Sequence, residues 1–550
     1  MSTFNSTSFN AVMLQLASLK YDRLFYALLG TLGATGALGL FKSLSSSSDI
    51  SNSPGPLRIR RSGVCNRHNI FYFISLTLGS PSGNVPELFD AENGIEFQDE
   101  LMKTYGSACR VKGLIDADEL WISDPRALQE ILIKGHDDFK EPVLSTVYGH
   151  QYKIQRKILN PVFTASHIRN CEYFNWMLPY DVMTISNDYS TFPVTPTMSA
   201  IAHNLVDVIT SRVQVNRGTT VVDIFKWVNL VALEIIGQTG MGDSFGALVG
   251  KVPEYLGASG DMFPLMMEMW CLQPLLPFTS RVGPAFFRRS IVERISHRPV
   301  QAMKNAVDAM NKTVEIMQRK WEAPDNGTLD SEVASGQDIM TALQNRVVAP
   351  NDQMSDEEIL AQVNGLAFAG HHTTSSAISR TISVLAEYQE IQDKLELKSA
   401  KHTVCIARIW TTINSTRFPN WTQYVGNPCA STPLQQWEGR NDPYSIPEGT
   451  DLRISLRAAN QDKQIWGGDS EEFRPDRWLE PLPVSVTDSR MPGIFSSTMT
   501  FLGGPRACPG MKFSQLEMKI VLSILVSSFR FEPSKNKLKW KNDGIVKPYV

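Results

Sequence analysis

The longest periodic signal in the chain begins at Ser355. Ser355-Asp-Glu-Glu358 has the form of a capping box, and apolar residues then recur at helical spacing from Ile359 to Leu395. About 40 residues at 1.5 Å each predict a helix on the order of 60 Å, long enough to cross a whole domain. Its middle, AGHHTTSS (Ala369 to Ser376), is a small and polar patch in an otherwise apolar stripe. A second amphipathic run, MKFSQLEMKIVLSILVSSF, starts at Met511. Upstream, ELFDAENGIEFQDELMKTYG reads as a helix and ACRVKGLIDADELWISD as two strands around an acidic turn. PRALQEILIKG opens with Pro at a helix start. IPEGTDLRISLRA alternates like a strand pair, and EEFRPDRWLEP reads as a Pro-broken, Arg-rich loop. Helices dominate, and no internal repeat is visible.

The N-terminal part follows a different pattern. Leu24 to Phe41 is an uncharged stretch of about 18 residues, just long enough to span a bilayer. Lys20 and Arg23 precede it, while Lys42, Arg58, Arg60 and Arg61 follow, which favours a cytosolic C-terminal side. Ser43 to Pro56 is a Ser/Pro-rich linker. The expected layout is a lumenal tail over 1–23, an uncleaved anchor over 24–41, a linker over 42–85 and one domain over 86–550. On that layout Asn5 is the one N-x-S/T site in reach of the glycosylation machinery; Asn311, Asn326, Asn414 and Asn420 are chance matches.

Composition narrows the picture only a little. The 550 residues are 42% hydrophobic and 20% charged, with a net charge of -3, which gives no electrostatic footprint for nucleic acid. The seven cysteines contain no CxxC pair and are odd in number, so they suit a reducing compartment better than a disulfide framework.

One cysteine stands apart. Phe501 to Gly510 reads FLGGPRACPG, which sets Cys508 in a constrained turn just before the Met511 helix. Free N–H groups and the positive dipole end at a helix N-terminus favour a thiolate, and glycines let backbone approach a flat group closely. A single thiolate suits one axial position on a haem iron, whereas zinc or an iron–sulfur cluster takes several protein ligands. The spacing F-x-x-G-x-R-x-C-x-G (Phe501, Gly504, Arg506, Cys508, Gly510) resembles the cytochrome P450 family, in particular the microsomal enzymes of filamentous fungi.

The resemblance covers most of 86–166, 198–395 and 438–550. It implies a mainly α cytochrome P450 fold with small β-sheets behind the membrane helix, located in the endoplasmic reticulum membrane with its catalytic domain cytosolic. It implies haem b on Cys508 and monooxygenation of an apolar organic substrate. Electrons would come from NADPH through a separate cytochrome P450 reductase, docked on a basic face at Arg506, Lys512 and Lys519. Ala369-Gly370-His371-His372-Thr373 matches the family's A/G-G-x-D/E-T, with Thr373 at the oxygen-activating threonine and His372 in place of the acid. A histidine titrating close to neutrality would alter proton delivery rather than abolish it. YKIQR resembles W/H-x-x-x-R, whose ends reach a haem propionate: Arg156 matches, Tyr152 departs from the Trp or His of the pattern, and Arg506 is expected beside them. Arg477 in FRPDRW matches the arginine of a buried Glu–Arg–Arg cluster.

The first two members of that cluster are missing, because the stretch from Leu395 to Arg440 contains no E-x-x-R. The expectation is an unpaired Arg477, at a cost of several kcal/mol. Three segments look foreign to the family: 57–78, 170–195 and 398–437. Translated introns and a wrong frame or exon are the expected origin; a spliced transcript that encodes them unchanged would refute this. Two other readings stand beside the monooxygenase: a pseudoenzyme without stable haem, and a reductase-independent haem-thiolate isomerase or peroxygenase.

Overall fold

The computed structural model describes residues 83–113, 117–135, 149–163, 195–322, 356–396 and 450–549, with breaks at 217, 219, 250–253, 270–278, 280–281, 479–480, 537 and 543, and strands at 422–425, 432–434 and 444–446. Asn5, the proposed anchor, the 57–78 insert, Ser355 and nearly all of 170–195 and 398–437 lie outside the described residues. No helix among the described residues is long and apolar enough to cross a membrane.

The helices that place the site are α1 (Gly94–Tyr105), α2 (Gly149–Leu159), α3 (Thr195–Val215), α4 (Ile224–Ile235), α5 (Glu254–Glu268), α6 (Arg298–Glu322), α7 (Asp356–Glu387), α8 (Gln389–Glu396), α9 (Leu456–Gln461) and α10 (Met511–Ser528). The central helix α7, 32 residues and about 48 Å long, is shorter than its periodicity suggested. It stops at Tyr388, whose ring packs on Phe473 at 5.1 Å, and α8 then begins. Gln389 and Gln392 of α8 donate to the Phe531 carbonyl at 2.8 and 3.0 Å, and Phe531 N–H donates back to Gln392 at 2.8 Å. The bend is thus fixed by a distant segment, not by a local breaker.

The strands are β1 (Ala108–Lys112), β2 (Asp118–Ile122), β3 (Thr422–Val425), β4 (Thr432–Leu434), β5 (Tyr444–Ile446), β6 (Asp451–Ser455), β7 (Gly493–Phe495), β8 (Thr498–Gly503), β9 (Lys539–Asn542) and β10 (Val546–Tyr549). One sheet has the order β1-β2-β6-β3, with β2 parallel to β6; β4–β5, β7–β8 and β9–β10 are separate pairs. IPEGTDLRISLRA is therefore not a strand pair: β5 joins β4, β6 joins the main sheet, and the last residues turn into α9. Across the parallel pair, buried Glu119 of β2 and Arg453 of β6 form an ion pair, with the guanidinium 5.4 Å from the Phe89 ring centre. The helix expected over 87–106 divides at Asp90, which caps the Glu92 and Asn93 N–H groups before α1.

Two cores flank α7. Ile378, Ile382 and Leu385 pack with Met198 and Leu205 of α3, Val228 and Val231 of α4, and Val521, Leu522 and Leu525 of α10. Val363, Ala367 and Phe368 pack with Tyr255 of α5, Met310 and Val314 of α6, and Ile236. Burying each large aliphatic side chain contributes about 1.5–3 kcal/mol, so α7 is clamped along both flanks. Asn311 lies inside this packing, where its Oδ1 accepts from Asn364 at 2.7 Å.

Candidate active site

β8 delivers the chain into the cysteine turn. Gly504 has φ +72, a left-handed conformation that favours glycine, and a Cβ there would stand 2.1 Å from the Leu132 carbonyl oxygen. The glycine is required by conformation and by contact at once. Cys508 N–H donates to the Phe501 carbonyl at 3.0 Å, which closes the turn, and the Phe501 ring packs edge-on against Phe495.

The sulfur of Cys508 is accessible, yet burial is the largest influence on it and raises its pKa. Protein surrounds the thiol closely while the residue stays open to solvent on one side. The amides of Gly510 and Met511 and the charge of Arg156 oppose the burial and favour the thiolate. A Cβ on Gly510 would meet no atom within 4 Å, so the chain two residues past the thiol is uncrowded. Among the described residues no group of three or more His, Cys, Asp or Glu side chains is arranged to hold a metal. One thiolate with amide donors and a side open to solvent fits the axial position of a haem and does not fit a structural zinc site.

Helix α2 braces this turn. Tyr152 Oη donates to the Pro505 carbonyl at 3.0 Å, and Arg156 Nη2, one helical turn on, donates to the Ala507 carbonyl at 3.0 Å. The guanidinium of Arg506 lies 3.6 Å over the Tyr152 ring. The structure therefore brings Tyr152, Arg156, Arg506 and Cys508 together. Arg506, Lys512 and Lys519, expected as an exposed basic face, are all half-buried, and burial lowers the Lys519 pKa.

On α7, Gly370 faces Ile236, whose Cδ1 would be 3.0 Å from an added Cβ. Thr373 Oγ1 donates to the Ala369 carbonyl at 2.7 Å, one turn back. The two histidines turn towards α5. Their rings are 3.8 Å apart, and both Nε2 atoms lie 3.2 Å from Ser259 Oγ. His371 Nδ1 donates to the Ala367 carbonyl at 2.6 Å, which leaves its Nε2 as an acceptor. Tyr255, Phe263 and Phe368 close the aromatic box around the pair.

Burial lowers the pKa of His371 to about 4. It lowers that of His372 to about 2, with His371 and Lys547 adding to the effect and the Ser259 carbonyl opposing it. The near-neutral histidine expected from the sequence is thus a neutral imidazole throughout the physiological range. Ser259 was not singled out in the sequence, where a serine among the small residues of EYLGASGDMF carries no signal.

Arg477 sits apart from Cys508 in the loop ahead of β7 and is not unpaired: it meets Asp469, eight residues earlier. Asp469 was also missed, although an acid so close in sequence to Arg474 and Arg477 was a usable sign.

Comparison with known proteins agrees with this geometry. A family model described as Cytochrome P450 matches residues 80–400 and 437–549. The gap at 401–436 coincides closely with the foreign stretch at 398–437, whereas 170–195 falls inside the matched span. A protein named Cytochrome P450 monooxygenase 91, from Postia placenta, is 32% identical over 514 residues, covering 85% of this chain and 89% of the relative. Cytochrome P450 monooxygenase 212 of the same fungus is 33% identical over 513 residues, with 85% and 89% covered. Ganoderic acid synthetase CYP5150L8 of Ganoderma lucidum is 28% identical over 510 residues, with 85% and 88% covered.

Proposed function

The chain belongs to the cytochrome P450 family and is a P450 monooxygenase, and from that premise we propose that Cys508 holds haem b for the oxygenation of an apolar organic substrate. The observation that carries this is the sulfur itself: accessible, at the mouth of α10, with the Gly510 and Met511 amides and Arg156 favouring its charged form. The haem, when bound, supplies oxygen activation. The residues hold and orient. Arg156 and Tyr152 fix the turn through its carbonyls, and Arg506, stacked on Tyr152, is the cation placed to meet an anionic substituent of the cofactor. Ala369 and Gly370 keep the side chains of the α7 motif small, and the Thr373 hydroxyl, which donates to the Ala369 carbonyl, is the proton-bearing group assigned to oxygen activation.

His372 acts as a neutral imidazole. It passes a proton by accepting on one nitrogen while releasing from the other, with Ser259 as its hydrogen-bond partner. Electrons come from NADPH through a separate reductase, and Leu24 to Phe41 tethers the enzyme to the endoplasmic reticulum membrane. A relative named ganoderic acid synthetase supports oxidation of a small molecule. Carbonate extraction of microsomes tests the tether: release of the full chain into the supernatant would exclude it.

The decisive experiment is the carbon monoxide difference spectrum of the reduced, purified 550-residue chain. A strongly red-shifted Soret band that is lost in Cys508→Ser supports the reading. An unshifted band, or no bound haem, overturns it.

A further inference from the structure

No E-x-x-R stands between Leu395 and Arg440 to pair with Arg477, and the 466–478 loop supplies other partners. The side chain of Arg477 is 8% exposed, and its contacts among the described residues are local. Nη1 donates to the Trp466 carbonyl at 2.9 Å, Nη2 donates to the Asp469 carbonyl at 2.8 Å, and Nη2 lies 3.0 Å from Asp469 Oδ1. Arg474 pairs with the other carboxylate oxygen of Asp469 from the solvent side. Burial alone would raise the Asp469 pKa, but the two guanidiniums together bring it below the usual carboxylate value, so the acid stays ionised. A buried cation is tolerated when it is paired and hydrogen-bonded, and both conditions are met within eight residues of chain.

This loop is tied to the cysteine turn by a short path. Trp466 donates its ring N–H to the Ala459 carbonyl at 3.3 Å and packs on Trp478 at 5.8 Å. Asn460, next in α9, accepts from Met499 N–H at 2.6 Å and donates to Thr500 Oγ1 at 3.4 Å. Met499 and Thr500 belong to β8, and the following Phe501 carbonyl receives the Cys508 N–H. The hydrogen bonds along this path are buried or half-buried, its other links are a ring contact and chain continuity, and Ile465, Trp466, Met499 and Leu502 form one apolar cluster beside it.

We infer that Asp469 is a positioning residue for the Cys508 turn: its ion pair with Arg477 takes the place of the missing E-x-x-R pair and fixes the loop on which α9 and β8 rest. The inference rests on the reading that Cys508 holds haem. It also removes the main ground for a haem-free pseudoenzyme, since the arginine that the family's cluster would have satisfied is satisfied here by its own loop.

The test uses the full-length haem-loaded chain and three variants, Asp469→Ala, Asp469→Glu and Arg474→Ala. Three quantities are measured: the rate of haem transfer to excess apomyoglobin, the carbon monoxide spectrum, and the far-ultraviolet melting curve. Removing one member of a buried pair is costly, and the partial exposure of Asp469 reduces that cost, so Asp469→Ala should lose haem roughly tenfold faster. Part of its Soret band should move to the unshifted position. Asp469→Glu should restore most of the wild-type behaviour. Arg474→Ala, whose contact faces solvent and which leaves the Asp469–Arg477 pair in place, should lose haem much more slowly than Asp469→Ala.

An Asp469→Ala protein with the wild-type haem-loss rate and an unchanged band would overturn the inference. Should that variant fail to fold, Asp469→Asn, which keeps the oxygen and removes the charge, gives the same two outcomes. A wild-type chain without a red-shifted band would instead defeat the reading of Cys508, which separates the two failures.

Discussion

The two histidines of α7 make the protein acid-sensitive in a calculable way. In the unfolded chain each imidazole titrates near 6.5, whereas in the fold burial lowers His371 to about 4 and His372 to about 2. Above the unfolded pKa both states carry neutral rings, and the pair has no effect on stability. As the pH falls through 6.5 the unfolded chain takes up protons that the folded box refuses, so stability drops. At pH 5 each ring has lost about 1.5 pH units of linkage, or about 2 kcal/mol, and the pair about 4 kcal/mol. The loss from His371 levels off near pH 4, where the folded ring begins to titrate. Against a typical total stability of about 5–15 kcal/mol this is a large fraction. The assay compares urea midpoints at pH 7 and pH 5 for wild type and for a double variant, His371→Gln with His372→Gln, which keeps hydrogen-bonding groups and removes the titration. Wild type should lose about 4 kcal/mol more than the double variant over that interval. Equal losses in the two proteins would refute the burial argument.

Three further outcomes follow from the same structure. Gly504→Ala forces a side chain into a left-handed backbone and against the Leu132 carbonyl, so the thermal midpoint should fall by the equivalent of about 2 kcal/mol or more; Gly510→Ala, which meets nothing, should melt like wild type as apoprotein. Glu119→Ala deprives buried Arg453 of its carboxylate and should cost about 3–5 kcal/mol in urea unfolding. Arg156→Ala removes both a 3.0 Å bond to the Ala507 carbonyl and a charge that favours the Cys508 thiolate, so its carbon monoxide spectrum should contain more of the unshifted band than wild type.

What was legible in the sequence was local. The Cys508 turn could be read because a thiolate, a glycine that tolerates φ +72 and a helix start must lie within ten residues of one another. The strand pair at 108–122 and the helix opened by Pro125, capped by Asp124 through the Ala127 N–H at 2.8 Å, are local in the same sense. Two failures were local, the Asp90 cap and the Asp469–Arg477 pair, and the others came from distant partners. Apolar periodicity runs on past Tyr388, and only docking on Phe473 and Phe531 ends α7 there. The alternation at 450–455 marks a strand but cannot say that its neighbour is β2, some 330 residues away, and Glu119–Arg453 shows that separation. The histidines look titratable as residues; burial behind Tyr255, Phe368 and α5 keeps both rings neutral.

The bonds by which α2 braces the cysteine turn join positions 353 and 351 residues apart. During synthesis at about 5–20 residues per second, α2 therefore emerges on the order of 20–70 s before the segment it braces. For that interval Tyr152 and Arg156 have no turn to hold, and the thiol does not yet exist. Haem capture becomes one of the last events in the life of the nascent chain. A product truncated shortly before residue 508 carries most of the helical mass and lacks the thiol, which makes the final tenth of the message the part on which activity depends.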